Sequence, residues 1–301
     1  MNQILIPLDG SPLAEQALPC AMTLGQVLPA ELVLFRAVSI PPETEEILSD
    51  TSLGVEKLAE RLQEEANNYL REVASQLRQT GLSVSQVAQY GPAAEAILDY
   101  ADQKDIQQIV MSTHGYTGIS RWVHGSVAER VLQSAGVPVF LVRSREEVSG
   151  DLWRPMVCQR ILVPLDGSTL AEQVLPSATS VAQALDAEMI LFQVPVVYTS
   201  RSLMGEWYVP LEGVFETANQ GAQTYLNQVA SRLEEQRINV STAMRTGSVA
   251  ESIIGYAEAN QIDLIAMCTH GRTGPTRWAL GSVADRVLRA SDIPVLLVRA
   301  R

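Results

Sequence analysis

Three glycines and a serine carry the first chemical clue. In MSTHGYTGISRWVHGSVAERV, residues 111–131, Gly115, Gly118 and Gly125 lead into Ser126 at the start of a run with helical periodicity. Glycine takes positive φ at little steric cost and lets backbone come close to a ligand. A helix start adds unpaired amides and the positive end of the dipole, so the arrangement suits an anion. The same parts recur in MCTHGRTGPTRWALGSVADRV, residues 267–287, as Gly271, Gly274, Gly281 and Ser282. Each part also has a plain structural reading. Ser126 with Glu129 has the spacing of a capping box, Ser282 with Asp285 a looser version, and for the serine alone a cap is the better reading. A ligand becomes the stronger reading because three glycines and a helix start are kept twice in one chain.

Two carboxylates come next. Asp9 and Asp166 end apolar runs in ILIPLDGS and ILVPLDGS. A carboxylate there accepts hydrogen bonds from ribose hydroxyls or a base amino group and repels phosphate. It also forms an Asx-turn ahead of a helix, and the two roles are compatible. The following LDGSPLAEQ matches neither GxGxxG nor a Walker loop with its lysine, which argues against a dehydrogenase or a P-loop NTPase. His114, His124 and His270, with Cys20, Cys158 and Cys268, are too scattered for a metal cage. No acid–base pair, nucleophilic triad or acidic cluster accompanies the loops, so the expectation is a protein that is not an enzyme. Slow hydrolysis of a bound ligand would need no dedicated base.

The elements that must position these groups repeat across the chain. ILIPLDGSPLAEQALPCA returns as ILVPLDGSTLAEQVLPSA, and AGVPVFLVR as SDIPVLLVR, with one single-residue gap between the early and late landmarks. This is a duplicated domain rather than a solenoid. The expected layout is a first domain over 1–146, a linker over 147–158 and a second domain over 159–301. In the first copy, strands are expected at 3–8, 31–37, 83–88, 107–112 and 137–143, and helices at 12–28, about 55–79, 93–103 and 126–135. Continuous Val/Ile/Leu runs between helices predict an α/β fold, with each domain a five-stranded, doubly wound parallel sheet covered by helices on both faces. In such sheets ligands sit beyond the carboxyl ends of the strands, where the strand order reverses. The copies differ most after their second strands, where the second carries Tyr198, Trp207, Tyr208 and Phe215. Such a loop suits either a cover over a planar ligand or packing on its own domain.

Composition narrows the partners. The 301 residues are 47% hydrophobic and 19% charged with a net charge of −12, which argues against nucleic acid or an anionic membrane surface. The apolar runs are too short to span a bilayer and no leader is visible ahead of the first strand, so a cytoplasmic location is expected.

These residues together resemble the universal stress protein family in its tandem-domain form. The carriers are ILIPLDGS and ILVPLDGS, the paired THG segments, GSVAERVL and GSVADRVL, and the closing GVPVFLVR and DIPVLLVR. The family's ATP-binding members carry Gly-x-x-Gly, nine residues, then Gly-Ser. Here Gly115 to Gly125 and Gly271 to Gly281 keep the spacing, while Ser112 and Cys268 replace the motif's first glycine. The resemblance implies ATP, with or without Mg²⁺, held in the first copy by Asp9, Ala37, Ser112, Gly115, Gly125, Ser126 and Val127. In the second copy it implies Asp166, Val194, Cys268, Gly271, Arg272, Gly281, Ser282 and Val283. Arg272 adds charge where the first copy has Tyr116, which favours the second site.

The expected function is therefore an ATP-binding regulatory stress-response protein. The alternative, favoured by Ser112 and Cys268, is an interaction module whose nucleotide sites have degenerated. The apolar last strands VPVFLV and IPVLLV predict an intramolecular pseudo-dimer of the two domains, and the sequence allows a homodimer of tandem chains.

Overall fold

The structure is a computed structural model and describes residues 2–40, 52–113, 126–145, 152–195, 211–271 and 280–300. The first copy runs β1 (Asn2–Pro7), α1 (Pro12–Glu15), α2 (Leu18–Val27), β2 (Ala30–Val38), α3 (Ser52–Gln79), β3 (Val84–Tyr90), α4 (Ala93–Gln103), β4 (Gln108–Ser112), α5 (Ser126–Ser134) and β5 (Val139–Val142). The second repeats it as β6 (Arg160–Pro164), α6 (Thr169–Glu172), α7 (Leu175–Leu185), β7 (Glu188–Gln193), α8 (Leu211–Glu234), β8 (Val240–Met244), α9 (Val249–Ala259), β9 (Leu264–Cys268), α10 (Ser282–Ala290) and β10 (Val295–Val298).

Two compact units result. The first comprises Met1–Val157 with Asp292–Arg299, and the second Cys158–Ser291 with Ala300–Arg301. In the first, the strand order is β3-β2-β1-β4-β5-β10. β1 to β5 are parallel, and β10 runs antiparallel to β5 with Leu296 opposite Phe140. In the second, the order is β9-β6-β7-β8, all parallel. Each copy supplies five strands, and the second copy's last strand is counted with the first unit. The order reverses between β1 and β4, and again between β6 and β9, so the carboxyl ends of those pairs flank the crevice.

The strands are buried because both faces are covered. Ile4, Leu5, Ile6, Leu32, Val33, Leu34 and Phe35 are all buried, as are Ile161, Leu162, Val163, Ile190, Leu191 and Phe192. The long helices contribute one apolar stripe each. Ala66, Leu70, Val73, Ala74 and Leu77 of α3 recur as Ala222, Leu226, Val229, Ala230 and Leu233 of α8, at helical spacing.

One expected helix, 12–28, is two. Pro19 lacks the N–H that would bond back to residue 15, and its ring would meet that carbonyl. It sits instead in the first turn of α2, where the donor is not needed. Pro176 separates α6 from α7 in the same way.

Candidate functional site

The carboxyl end of β6 turns sharply through Asp166, Gly167 and Ser168. Asp166 Oδ1 accepts from the Ser168 amide at 2.9 Å and the Ser168 hydroxyl at 2.6 Å. Ser168 Oγ in turn accepts from the Ala171 amide at 3.1 Å and caps α6. Gly167 has φ +83°, which favours glycine there. Asp9, Gly10 and Ser11 build the same turn, with Ser11 donating to Asp9 Oδ1 from its amide at 2.9 Å and its hydroxyl at 2.6 Å. The Asx-turn reading holds in both copies, and one carboxylate oxygen serves it.

Across the crevice, β9 ends at Cys268 and the chain passes through Thr269, His270 and Gly271. The Gly281 amide donates to the Thr269 carbonyl at 2.9 Å, which seats the start of α10 against the end of β9. Gly281, with φ −60° and ψ 146°, is the N-cap, and no side chain among the described residues caps α10. This corrects the capping expectation for Ser282, which lies one residue too far along and is exposed as the first helical residue. Among the described residues the first amides of α10 have no side-chain acceptor, and they lie at the positive end of the dipole.

Between these walls lies a cavity of about 500 Å³ within the second unit. Asp166, Val194, Cys268, Gly271, Gly281, Ser282 and Val283 all line it. Arg272 lies outside the described residues, as do Trp207 and the rest of 196–210. The tightness of the crevice is visible at two glycines. A Cβ on Gly271 would collide with the Asp166 carboxylate, and one on Gly281 would come within 2.6 Å of the Thr269 carbonyl oxygen.

Cys268 stands where the motif has glycine, but its side chain is turned aside. Its thiol donates to the Ala171 carbonyl at 3.5 Å and the residue is only 6% exposed. Burial pushes the thiol up to about 12; a backbone hydrogen bond from Val174 opposes this and Asp166 adds to it. A thiol held neutral in this way is a weak nucleophile. Among the described residues no cluster of His, Cys, Asp and Glu could hold a metal ion.

Other lining residues complete the walls of the cavity. Tyr225 donates to Glu172 Oε1 at 3.0 Å; burial and then the Glu172 carboxylate push its phenol up. Ile253 and Met267 supply apolar wall, and Gln193 ends β7 with its side-chain oxygen buried and unpartnered among the described residues. His270 faces Thr269 Oγ1 through Nδ1 at 3.1 Å, and its Nε2 is likewise buried and unpartnered. Laying one copy of the sequence over the other marks Gln193 as a difference, since Arg36 stands in its place.

In the first copy, Ala37 sits near the end of β2 opposite Gln89, and Ser112 ends β4 buried opposite Val142. Ser126 is exposed at the start of α5 and Val127 is half-buried. Gly115 and Gly125 lie outside the described residues.

The family model described as the universal stress protein family matches residues 1–143 and again 158–299. The chain belongs to the universal stress protein family. A universal stress protein of Methanocaldococcus jannaschii is 34% identical over 143 residues, 47% of this chain and 82% of that protein. One from Synechocystis is 24% identical over 319 residues, 99% of this chain and 100% of its own. The crystal structure of a universal stress protein from Archaeoglobus fulgidus superposes with a TM-score of 0.72 at 21% identity, covering 99% of this chain and 98% of that one. That likeness concerns the fold, a mostly parallel sheet with helices built from two family domains. No helix among the described residues is long and apolar enough to cross a membrane.

Proposed function

We propose that the cavity of the second unit binds an adenine nucleotide, ATP, and that its occupancy is the regulatory signal this protein carries. The observation that supports this is the cavity's polarity. It joins a carboxylate turn, an apolar wall and an uncapped helix start in one space of about 500 Å³, inside the ~300–1,000 Å³ range of small-molecule pockets. Ribose hydroxyls would donate to Asp166, whose negative charge keeps phosphate away from that end. The base would pack against Val194, Ile253 and Met267. The phosphates would accept from the first amides of α10, where Ser282 adds a hydroxyl and the dipole favours negative charge. Mg²⁺ would ride on the triphosphate, since no protein cage for it exists among the described residues. We read the role as binding rather than turnover: among the described residues, the titratable side chains lining the cavity, Asp166, Tyr225, Cys268 and His270, make no nucleophile–base pair.

The test is calorimetry with ATP and Mg²⁺ on the wild type and on Gly281→Val. The added side chain would push into the Thr269 carbonyl and displace the helix start, so binding at this site should disappear. Nucleotide released from the freshly purified, denatured protein and read by mass spectrometry gives an independent check. A wild type that neither carries nor titrates nucleotide would leave the interaction-module reading in its place.

A further inference from the structure

The two copies differ at several positions around the pocket, and one of these differences, at residue 193, changes what space remains. In the second unit, Gly167, Gln193 and Tyr225 all line the cavity. Their counterparts in the first are Gly10, Arg36 and Tyr69. There the Arg36 guanidinium lies over the Tyr69 ring, 5.2 Å from its centroid. It also lies against the Gly10 turn, with Nη1 3.1 Å and Cζ 3.3 Å from where a Cβ on Gly10 would be. One side chain therefore bridges the β1 turn and the α3 wall, the two surfaces between which the second unit keeps open space. Gln193 is shorter and neutral, only 6% exposed, with a side-chain oxygen that has no partner among the described residues.

Resting on the nucleotide reading of the second cavity, we infer that Arg36 closes the nucleoside end of the first copy's pocket, so each chain binds one nucleotide. Residue 36 and its counterpart 193 are the specificity switch between the copies. The guanidinium occupies the volume a nucleoside needs, and stacking on Tyr69 holds it there. Swinging it out sacrifices the cation–π contact with Tyr69. The Asp9 turn in the first copy is intact, so the carboxylate that would hold the ribose is present and its access is what Arg36 removes.

Exchanging the two residues tests this. Binding stoichiometry and affinity for ATP are measured by calorimetry on the wild type, Arg36→Gln and Gln193→Arg, with thermal melts as folding controls. The wild type should bind one equivalent, and Arg36→Gln should gain a second. Gln193→Arg should lose the first or weaken it by about tenfold or more, the scale of one lost contact of this kind. Gain of a second equivalent cannot arise from misfolding, so the two variants control for each other. Two equivalents in the wild type, or one in Arg36→Gln with unchanged affinity in Gln193→Arg, would overturn this inference and leave the nucleotide reading standing. No binding by the wild type would overturn both.

Discussion

Gly271 is conserved between the copies' motifs for a reason the structure makes measurable. Its φ lies outside the left-handed region, so an L-residue is allowed by the backbone. The obstacle is Asp166, whose carboxylate occupies the space a Cβ would need, with Cγ only 3.1 Å away. Asp166 cannot simply rotate, because Oδ1 holds the Ser168 amide at 2.9 Å and hydroxyl at 2.6 Å. Each hydrogen bond to a charged group contributes about 1.5–3 kcal/mol when buried, and less at this half-buried site. Gly271→Ala should therefore cost about 1–3 kcal/mol. Removing the obstacle reverses the sign. In an Asp166→Ala background the carboxylate atoms nearest that Cβ are gone, and the same substitution should be neutral or stabilising by about 0.4–1 kcal/mol, through the lower entropy of the unfolded chain. Urea denaturation of the wild type, both single variants and the double variant gives the coupling between them, expected at about 1–3 kcal/mol. Costs that add within about 0.5 kcal/mol would refute the clash, and with it the account of why glycine is needed there.

Two other expectations follow from the same walls. Tyr225→Phe removes the hydroxyl that donates to Glu172, but Arg232 still holds Glu172 Oε2 at 2.8 Å, so no carboxylate is orphaned. The cost in denaturation should stay near 0.5–1.5 kcal/mol; a loss beyond about 3 kcal/mol would show that the phenol does more than this bond. Cys158 and Cys268 titrate high because burial favours the neutral thiol, from 9.0 up to about 12 in each case. Their folded values are raised, so their contribution is complete below pH 9 and is lost as pH climbs from about 9 to about 12. Stability measured across that window should fall less steeply in Cys268→Ala than in the wild type, and equal slopes would refute the shift.

Much of the fold was legible because its signals are local. Apolar runs such as ILIP and VMS, alternating with helix-period segments, placed every strand of the first copy to within a few residues, since strands buried on both faces read as continuous Val, Ile and Leu. The break between α1 and α2 was also local. Pro19 has no N–H to continue a helix from residue 15, so the break is set by the sequence itself rather than by a tertiary contact. The antiparallel run of β10 beside β5 is different in kind. Parallel or antiparallel pairing of a last strand depends on which edge it meets, and nothing within IPVLLV records that.

The site divides along the same line. Asp166, Gly271, Gly281 and Ser282 could be named from sequence because each sits near the carboxyl end of a strand or the start of a helix, and Val194 followed from the family resemblance; all five line the cavity. Tyr225 and Ile253 could not, because they reach the cavity from the sides of α8 and α9 and look there like any other apolar-face residue. Arg36 shows the limit most clearly. The substitution against Gln193 is plain in the repeat, but an arginine near a strand end reads as solvated until Gly10 and Tyr69 are found on either side of it. Duplication explains why such a change is tolerated. Once one copy holds the ligand, a cation that closes the other costs no binding. It leaves a filled crevice rather than an empty one, and the stacked guanidinium packs there against an aromatic face.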